Sequence, residues 1–289
     1  ARNEKEVVYF VFDEMRDYCL ARQILLNNVK EAKKVLLDNI DNNQMIYRYS
    51  RGLNRDLYNL KNHKLWLSSA FNFNDPYDCL VTVDCGLKIN YPQSQRKKAI
   101  KAYMRQEVEN KKAEALRSSQ FVACFSEVNN SFPMWGYYAA DHKGMCLGYN
   151  LCELIKEYQC MPIIYSDKLL FYNENDFERN ILANTLTKSD EWAHEKEWRI
   201  VIGDDTNKGE PGIIKDFILP QEIYIGCMQQ KTVKENDNNR RLNNKTDDEL
   251  YADLDDILTF AEKNYIRVCM PMISRKEYKM IDRAIILNY

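Results

Sequence analysis

Apolar residues recur at helical spacing from Glu4 to about Asn39: Val8, Phe12, Met15, Tyr18 and Cys19, then Ile24, Leu25, Val29, Ala32, Val35 and Leu36. A period near 3.6 puts them on one face, so residues 1–40 are expected to form an N-terminal extension of one long or two consecutive helices. The texture changes at Met45. Met45-Ile46-Tyr47-Arg48-Tyr49 reads as a short strand, Asp56 to Leu60 as a helical turn, and Lys64-Leu65-Trp66-Leu67-Ser68-Ser69 as a second strand. Asn72-Phe73-Asn74-Asp75-Pro76 is a turn, because Asn and Asp side chains bond their own backbone and Pro fixes φ.

Residues 93–117 carry the run Gln95-Arg96-Lys97-Lys98-Ala99-Ile100-Lys101 and predict an inserted, exposed helix. Strands are expected at 121–126, 145–149, 161–165, 197–202, 222–227 and 266–271, and helices at 134–142, 151–158, 174–193 and 247–263. The Asn-rich stretch 229–246 has little apolar surface to bury and is expected to be a mobile polar loop. Such uneven alternation favours an α+β fold over a regular βαβ succession, with residues 41–289 as one α+β domain.

Composition narrows the chemistry. The chain has 289 residues, enough for a sizeable core, and contains no apolar run of the ~18 to 20 residues that a membrane helix needs. A net charge of -2 supplies no global basic field for nucleic acid, although the basic helix at 96–105 offers a local phosphate-binding strip. Glycine is scarce, at 9 residues, and neither a G-x-G-x-x-G nor a P-loop pattern occurs, so nucleotide chemistry would have to use side chains. The 9 cysteines include no C-x-x-C pair and mostly sit in apolar segments such as Phe121-Val122-Ala123-Cys124-Phe125, which suggests reduced thiols in a cytoplasmic protein. With His63, His142 and His194 far apart, no metal site is expected.

The sharpest local pattern is Trp192-Ala193-His194-Glu195-Lys196-Glu197-Trp198-Arg199, running into Ile200-Val201-Ile202. In an extended chain Glu195, Glu197 and Arg199 share a face. Two carboxylates there suit one group orienting an acceptor and another stabilising positive charge on a sugar carbon, while a plain ion-pair ladder is the structural alternative. Arg48, between two tyrosines in a half-buried strand, wants a planar anion: a phosphate or an internal carboxylate. Ser68 and Ser69 end a strand where apolar residues are expected, and alternation sends them to opposite faces. Trp135, Tyr138 and His142 fall on one helical face that could stack a base or nicotinamide ring, or simply form core.

These residues resemble a bacterial family, domain of unknown function family 2971. The resemblance is carried by Tyr47-Arg48-Tyr49, Leu67-Ser68-Ser69 with Phe73-Asn74-Asp75-Pro76, Cys124-Phe125-Ser126-Glu127, Met134-Trp135 through Tyr138, His142-Lys143-Gly144, and Glu195-Lys196-Glu197-Trp198-Arg199. That layout is similar to the ADP-ribosyltransferase superfamily of Arg-Ser-Glu type. The resemblance implies a split, mixed or antiparallel β-sheet core and an enzyme that uses NAD as substrate, without a metal. It implies that Arg48, beside Tyr47, grips the NAD pyrophosphate, and that Ser68 or Ser69 supports the nicotinamide ribose. Glu197 would bond the ribose 2′-hydroxyl and stabilise the oxocarbenium ion, and Glu195 would orient the acceptor. The partner would be a macromolecular acceptor, RNA, DNA or protein, with an antitoxin or regulator beside it, as for a bacterial toxin or phage-defence effector. No membrane partner is expected. Two other readings stay open: a non-catalytic module binding a nucleotide or nucleic-acid end, and a metal-dependent nuclease using Asp75, Glu127 and Glu195.

Overall fold

The computed structural model describes residues 28–80, 82–83, 92–169, 171–172, 181–243, 245–274, 276–277 and 280–286. The helix expected over residues 4–27 lies outside the described residues. Asn28 accepts the Glu31 amide and opens α1 (Val29–Asn39), whose Ala32 and Leu36 are buried in the main core. This part of the expected extension therefore belongs to the body of the fold. After β1 (Met45–Ser50), the Asp56 carboxylate takes both the Ser50 hydroxyl and the Leu53 amide and so starts α2 (Asn54–Lys61). Then come β2 (Lys64–Ser69), the short β3 (Thr82–Val83), the long helix α3 (Arg96–Arg117) and β4 (Gln120–Ser126).

The second half begins with α4 (Phe132–Tyr138) and β5 (Met145–Asn150), and Asn150 caps α5 (Leu151–Tyr158) by accepting the Glu153 amide. The strand expected at 161–165 is two pieces, β6 (Met161–Pro162) and β7 (Ile164–Ser166). β8 (Phe171–Tyr172) follows. The helix expected over 174–193 is replaced, where described, by α6 (Ile181–Thr185), β9 (Thr187–Ser189) and a 3-10 turn over Asp190–Glu195. β10 (Glu197–Gly203), β11 (Gly212–Asp216) and β12 (Glu222–Ile225) complete the centre. The polar stretch 229–246 is not a loop but largely helix α7 (Thr232–Leu242). It is held by polar bonds: the Asn236 amide pairs with both the N–H and the C=O of Tyr251, and Glu235 pairs with Lys143. α8 (Leu254–Lys263), capped by Asp253, leads to β13 (Arg267–Ile273) and β14 (Met280–Ile286).

The main sheet runs β11-β2-β4-β1-β5-β12-β13-β14, with β10 also on β4 and β6 on β10. β12 and β13 are parallel and the other neighbours antiparallel, so the fold is α+β with a mixed sheet. β10 takes one edge of β4 along its whole length, Glu197 opposite Ser126 through Gly203 opposite Gln120. The other edge is divided, with β2 at Phe121 and Val122 and β1 at Ser126. The sheet forks there.

One face of the sheet carries the main core. Ile46, Phe125, Leu147, Tyr149, Trp198 and Ile200 pack there with Leu36 of α1, Leu57 of α2, Leu154 of α5 and Ile257 of α8. A buried aromatic of this kind contributes about 3–5 kcal/mol by truncation. On the opposite face, Trp135 of α4 sits edge-on to Tyr49 and packs with Tyr47, Cys146 and Tyr224. Among the described residues no helix is long and apolar enough to cross a membrane. Among the described residues Cys79, Cys124, Cys146, Cys152, Cys160, Cys227 and Cys269 are not in disulfides.

Candidate functional site

The 3-10 turn over Asp190–Glu195 joins β10 through Lys196, a left-handed residue at φ 45°. That reversal leaves Lys196 exposed and turns Glu195 inward, where it is 2% exposed. Glu195 is therefore not part of the strand, yet it meets Glu197 through a third residue. Lys188 of β9 donates to Glu195 Oε2 at 2.6 Å and to Glu197 Oε2 at 3.0 Å. Arg199, two residues along β10 on the same face, donates from Nε to Glu197 Oε1 at 2.7 Å. Its other side clasps Asp78, at 2.8 Å from Nη1 and 2.7 Å from Nη2. Nη1 also reaches the Thr185 carbonyl at 2.8 Å.

The cluster is sealed. Arg199 is 0% exposed and Glu197 4%, with the ring of Phe73 against the guanidinium and that of Trp192 over the Lys188 ammonium. Burial opposes ionisation of Glu197, but Arg199 and Lys188 overcome it and hold the carboxyl down at about 2. Burial likewise opposes the charge of Lys188, and Glu197, Asp78 and Glu195 reverse that and push its pKa up. Three carboxylates thus face two cations, with a formal excess of negative charge. The Tyr138 hydroxyl donates to Glu195 Oε1 at 2.7 Å, while burial first and Glu195 second push the phenol up and keep it protonated. The Tyr165 hydroxyl accepts the Glu197 amide, and Ser126 Oγ donates to the Glu195 carbonyl at 2.6 Å. Cys79 beside Arg199 is a thiol, since burial raises its pKa more than the guanidinium lowers it.

Arg48 lies elsewhere. Tyr47 pairs with Ser126, and Ser126 with Glu197, so these three point to one face and Arg48 to the other. Its guanidinium enters the fork, donating to Cys124 O at 3.1 Å and Trp66 O at 2.9 Å over the ring of Phe125. Continuing the register of Ser68 with Val122 would set Trp66 opposite Cys124. Arg48 fills the place of that missing rung. Ser68 shares the face of Val122 and Arg199 and accepts the Trp66 indole N–H at 3.1 Å, whereas Ser69 turns to the core face, is buried, and caps the turn at Phe71.

The helix expected at 134–142 stops at Tyr138, because Ala140, Asp141 and His142 all adopt left-handed backbone, at φ 50°, 53° and 65°. His142 nonetheless returns to stack on Trp135, centroids 6.5 Å apart. Trp135 is fully buried and its indole N–H is bound to Asn129 O, so it is core. His142 Nδ1 is buried without a hydrogen-bond partner among the described residues, and burial lowers the imidazole pKa despite Asp141. The carboxylates considered for a metal are each engaged with a different partner: Glu127 accepts the Trp198 indole, Asp75 caps Tyr77, and Glu195 belongs to the cluster. Among the described residues no group of three ligating side chains is placed to hold a metal ion.

Asp78, Lys188 and Tyr165 are the residues that sequence reasoning missed. One signal did exist: Arg199 interrupts the apolar run Trp198-Arg199-Ile200-Val201, and a buried guanidinium requires carboxylates.

A family model described as "Protein of unknown function (DUF2971)" matches residues 134–200. The match takes in α4 from Met134 on, the left-handed turn, Lys188, Glu195, Glu197 and Arg199, and leaves Arg48 and Asp78 outside. Neither a curated protein nor a solved structure matches the chain.

Proposed function

We propose that the chain is an NAD-dependent ADP-ribosyltransferase acting on a macromolecular acceptor, protein or nucleic acid, with Glu197 and Glu195 as its reacting carboxylates. The supporting observation is the Glu195–Lys188–Glu197 bridge at the start of β10, inside a cluster whose carboxylates outnumber its cations. An excess of negative charge in a low-dielectric setting favours positive charge developing at a sugar carbon. In the reaction the bond from the ribose C1′ to the nicotinamide nitrogen breaks, and its electron pair leaves with nicotinamide. The acceptor oxygen or nitrogen then bonds C1′ and gives its proton to Glu195. Glu197, ionised throughout the neutral range, stabilises the sugar cation between these events. Tyr47 and Ser68 share the face of Glu197, and Tyr138 holds Glu195. Tyr138 and Trp192 must swing aside to admit substrate, while Arg48 serves the sheet rather than the dinucleotide.

The test is incubation of the purified protein with labelled NAD and a cell lysate, following free nicotinamide and label on protein or nucleic acid. Label transfer that vanishes in Glu197→Gln supports the reading. Equal transfer by folded wild type and variant, or none by either, removes it.

A second reading is supported by the closed geometry, since every carboxylate oxygen of Asp78, Glu195 and Glu197 already has a donor. In that reading the cluster braces a module that binds a nucleotide or nucleic-acid end without chemistry. Ligand binding that releases no nicotinamide and survives Glu197→Gln would select it.

A further inference from the structure

Helix α3 is inside out. The residues it turns toward the body are Ala99, Ala102, Gln106, Glu109 and Ala113, at spacings of three and four, and Glu109 and Ala113 are buried. Of its large apolar side chains, Ile100, Tyr103, Met104 and Val108 are half exposed or more, on the opposite stripe. An isolated exposed apolar residue needs no explanation, but four on one helical face amount to a patch. The charges are reversed as well. Arg96, Lys97, Lys98, Lys101 and Arg105 fill the first half of the helix without a carboxylate, and the first turn holds no acidic residue. Cations at a helix N-terminus oppose the macrodipole, so this half gains from anions brought to it.

We infer that the outer face of α3 is a docking surface for a partner protein, whose docking segment is an amphipathic helix with an aliphatic stripe and acidic flanks. The aliphatic stripe seats on Ile100, Met104 and Val108, and the acids meet Lys97 and Lys101. Face to face, a second copy would set the same lysine row and the same acid-free first half against itself. Nucleic acid would satisfy the lysines but leave the aliphatic stripe in water, since Tyr103 is the only base-stacking ring on it. An anionic bilayer would have to accept Glu107, which lies between Tyr103 and Val108 in the middle of the apolar face. A protein can place a cation opposite it.

The probe is a synthetic helical peptide with leucines at i, i+3, i+4 and i+7 and glutamates on the flanks. A second peptide has lysine at every glutamate position. Each is titrated into the full chain by fluorescence anisotropy, and hydrogen exchange locates the contact. Phosphatidylserine vesicles and a single-stranded RNA are titrated in parallel. The acidic peptide is expected to bind over α3 and the lysine peptide not to. Binding should fall by roughly tenfold in Ile100→Gln/Met104→Gln and in Lys97→Glu/Lys101→Glu. Because these side chains are exposed, the first variant should melt as the wild type does, and the second no lower, since it adds acids near the helix start. Four results would overturn the inference: equal binding of both peptides, protection away from α3, vesicles or RNA binding through these residues in place of the peptide, or a dimer that Met104→Gln dissolves.

Discussion

Arg48 and Glu197 stand on opposite faces of one sheet, although only β4 separates their strands. Tyr47, Ser126 and Glu197 form a row across β1, β4 and β10 on the face that α4 covers. Arg48, one residue from Tyr47, turns to the main core and reaches the Trp66 and Cys124 carbonyls where the sheet forks. An arginine suits that place because its rigid planar fork spans two acceptors, and its aliphatic stem and π-face tolerate the ring of Phe125.

Loss of the fork should therefore appear as lost stability. Arg48→Met leaves two carbonyls unpaired and is expected to cost about 2 kcal/mol or more in urea unfolding. Arg48→Lys should recover less than half of that, because a single ammonium cannot span both carbonyls. An Arg48 that served mainly to hold dinucleotide would show the opposite pattern, with unchanged unfolding and weakened NAD binding.

The ion cluster predicts an asymmetry between its members. Glu197→Gln leaves Asp78 and Glu195 against Lys188 and Arg199, a balanced set with nearly the same packing, and should cost about 2–3 kcal/mol, because one oxygen that accepts from a cation becomes a donor. Arg199→Met strands Asp78 and Glu197 in a dry interior with Lys188 as their remaining cation and should cost about 3–5 kcal/mol. Urea unfolding of both variants measures this, and equal losses would show that the charge count does not govern the cluster.

Acid should act on the same residue. Glu197 titrates at about 2 in the fold against an ordinary 4.5, so the folded chain binds fewer protons than the unfolded one between those values. Its contribution is complete above the upper value and is lost as pH falls toward the lower one. Glu197→Gln is accordingly expected to flatten the decline of stability below about pH 5, and to leave the pH dependence above it unchanged. Chemical denaturation at stepped pH reads the slope directly.

Local pattern carried some of this site and long-range register carried the rest. The shared face of Glu197 and Arg199 follows from strand alternation alone. Glu195 needed the left-handed Lys196 and the bridge through Lys188 to join them, and Asp78 comes from 121 residues before Arg199, a pairing no local period reveals. The fork around Arg48 depends on where β2 and β1 each meet β4, which only the assembled sheet decides. α3 was legible from its charge run, yet which stripe faces outward was not, since its buried side is alanine and polar residues. α7 escaped because it is anchored by Asn236 acting as a surrogate strand on Tyr251, not by an apolar face.

The turn after α4 offers the reverse test, a substitution that should stabilise. Left-handed backbone costs an L-residue about 1–2 kcal/mol, and Ala140, Asp141 and His142 adopt it in succession. They are held there by His142 N–H on Trp135 O at 3.2 Å, Gly144 N–H on Ala139 O at 2.9 Å and Met228 N–H on His142 O at 2.9 Å. Ala140→Gly keeps those bonds and removes the steric cost, less the extra freedom that glycine gains when unfolded, for an expected net gain of about 0.5–1 kcal/mol. Asp141→Gly should gain less, since an Asp side chain tolerates this region. Gly144→Ala should do the opposite, because a Cβ there runs into the Ser50 carbonyl, a backbone atom that cannot swing away. Thermal melts of the three variants rank them; a lowered melting temperature in Ala140→Gly would mean that the turn is not strained at that residue.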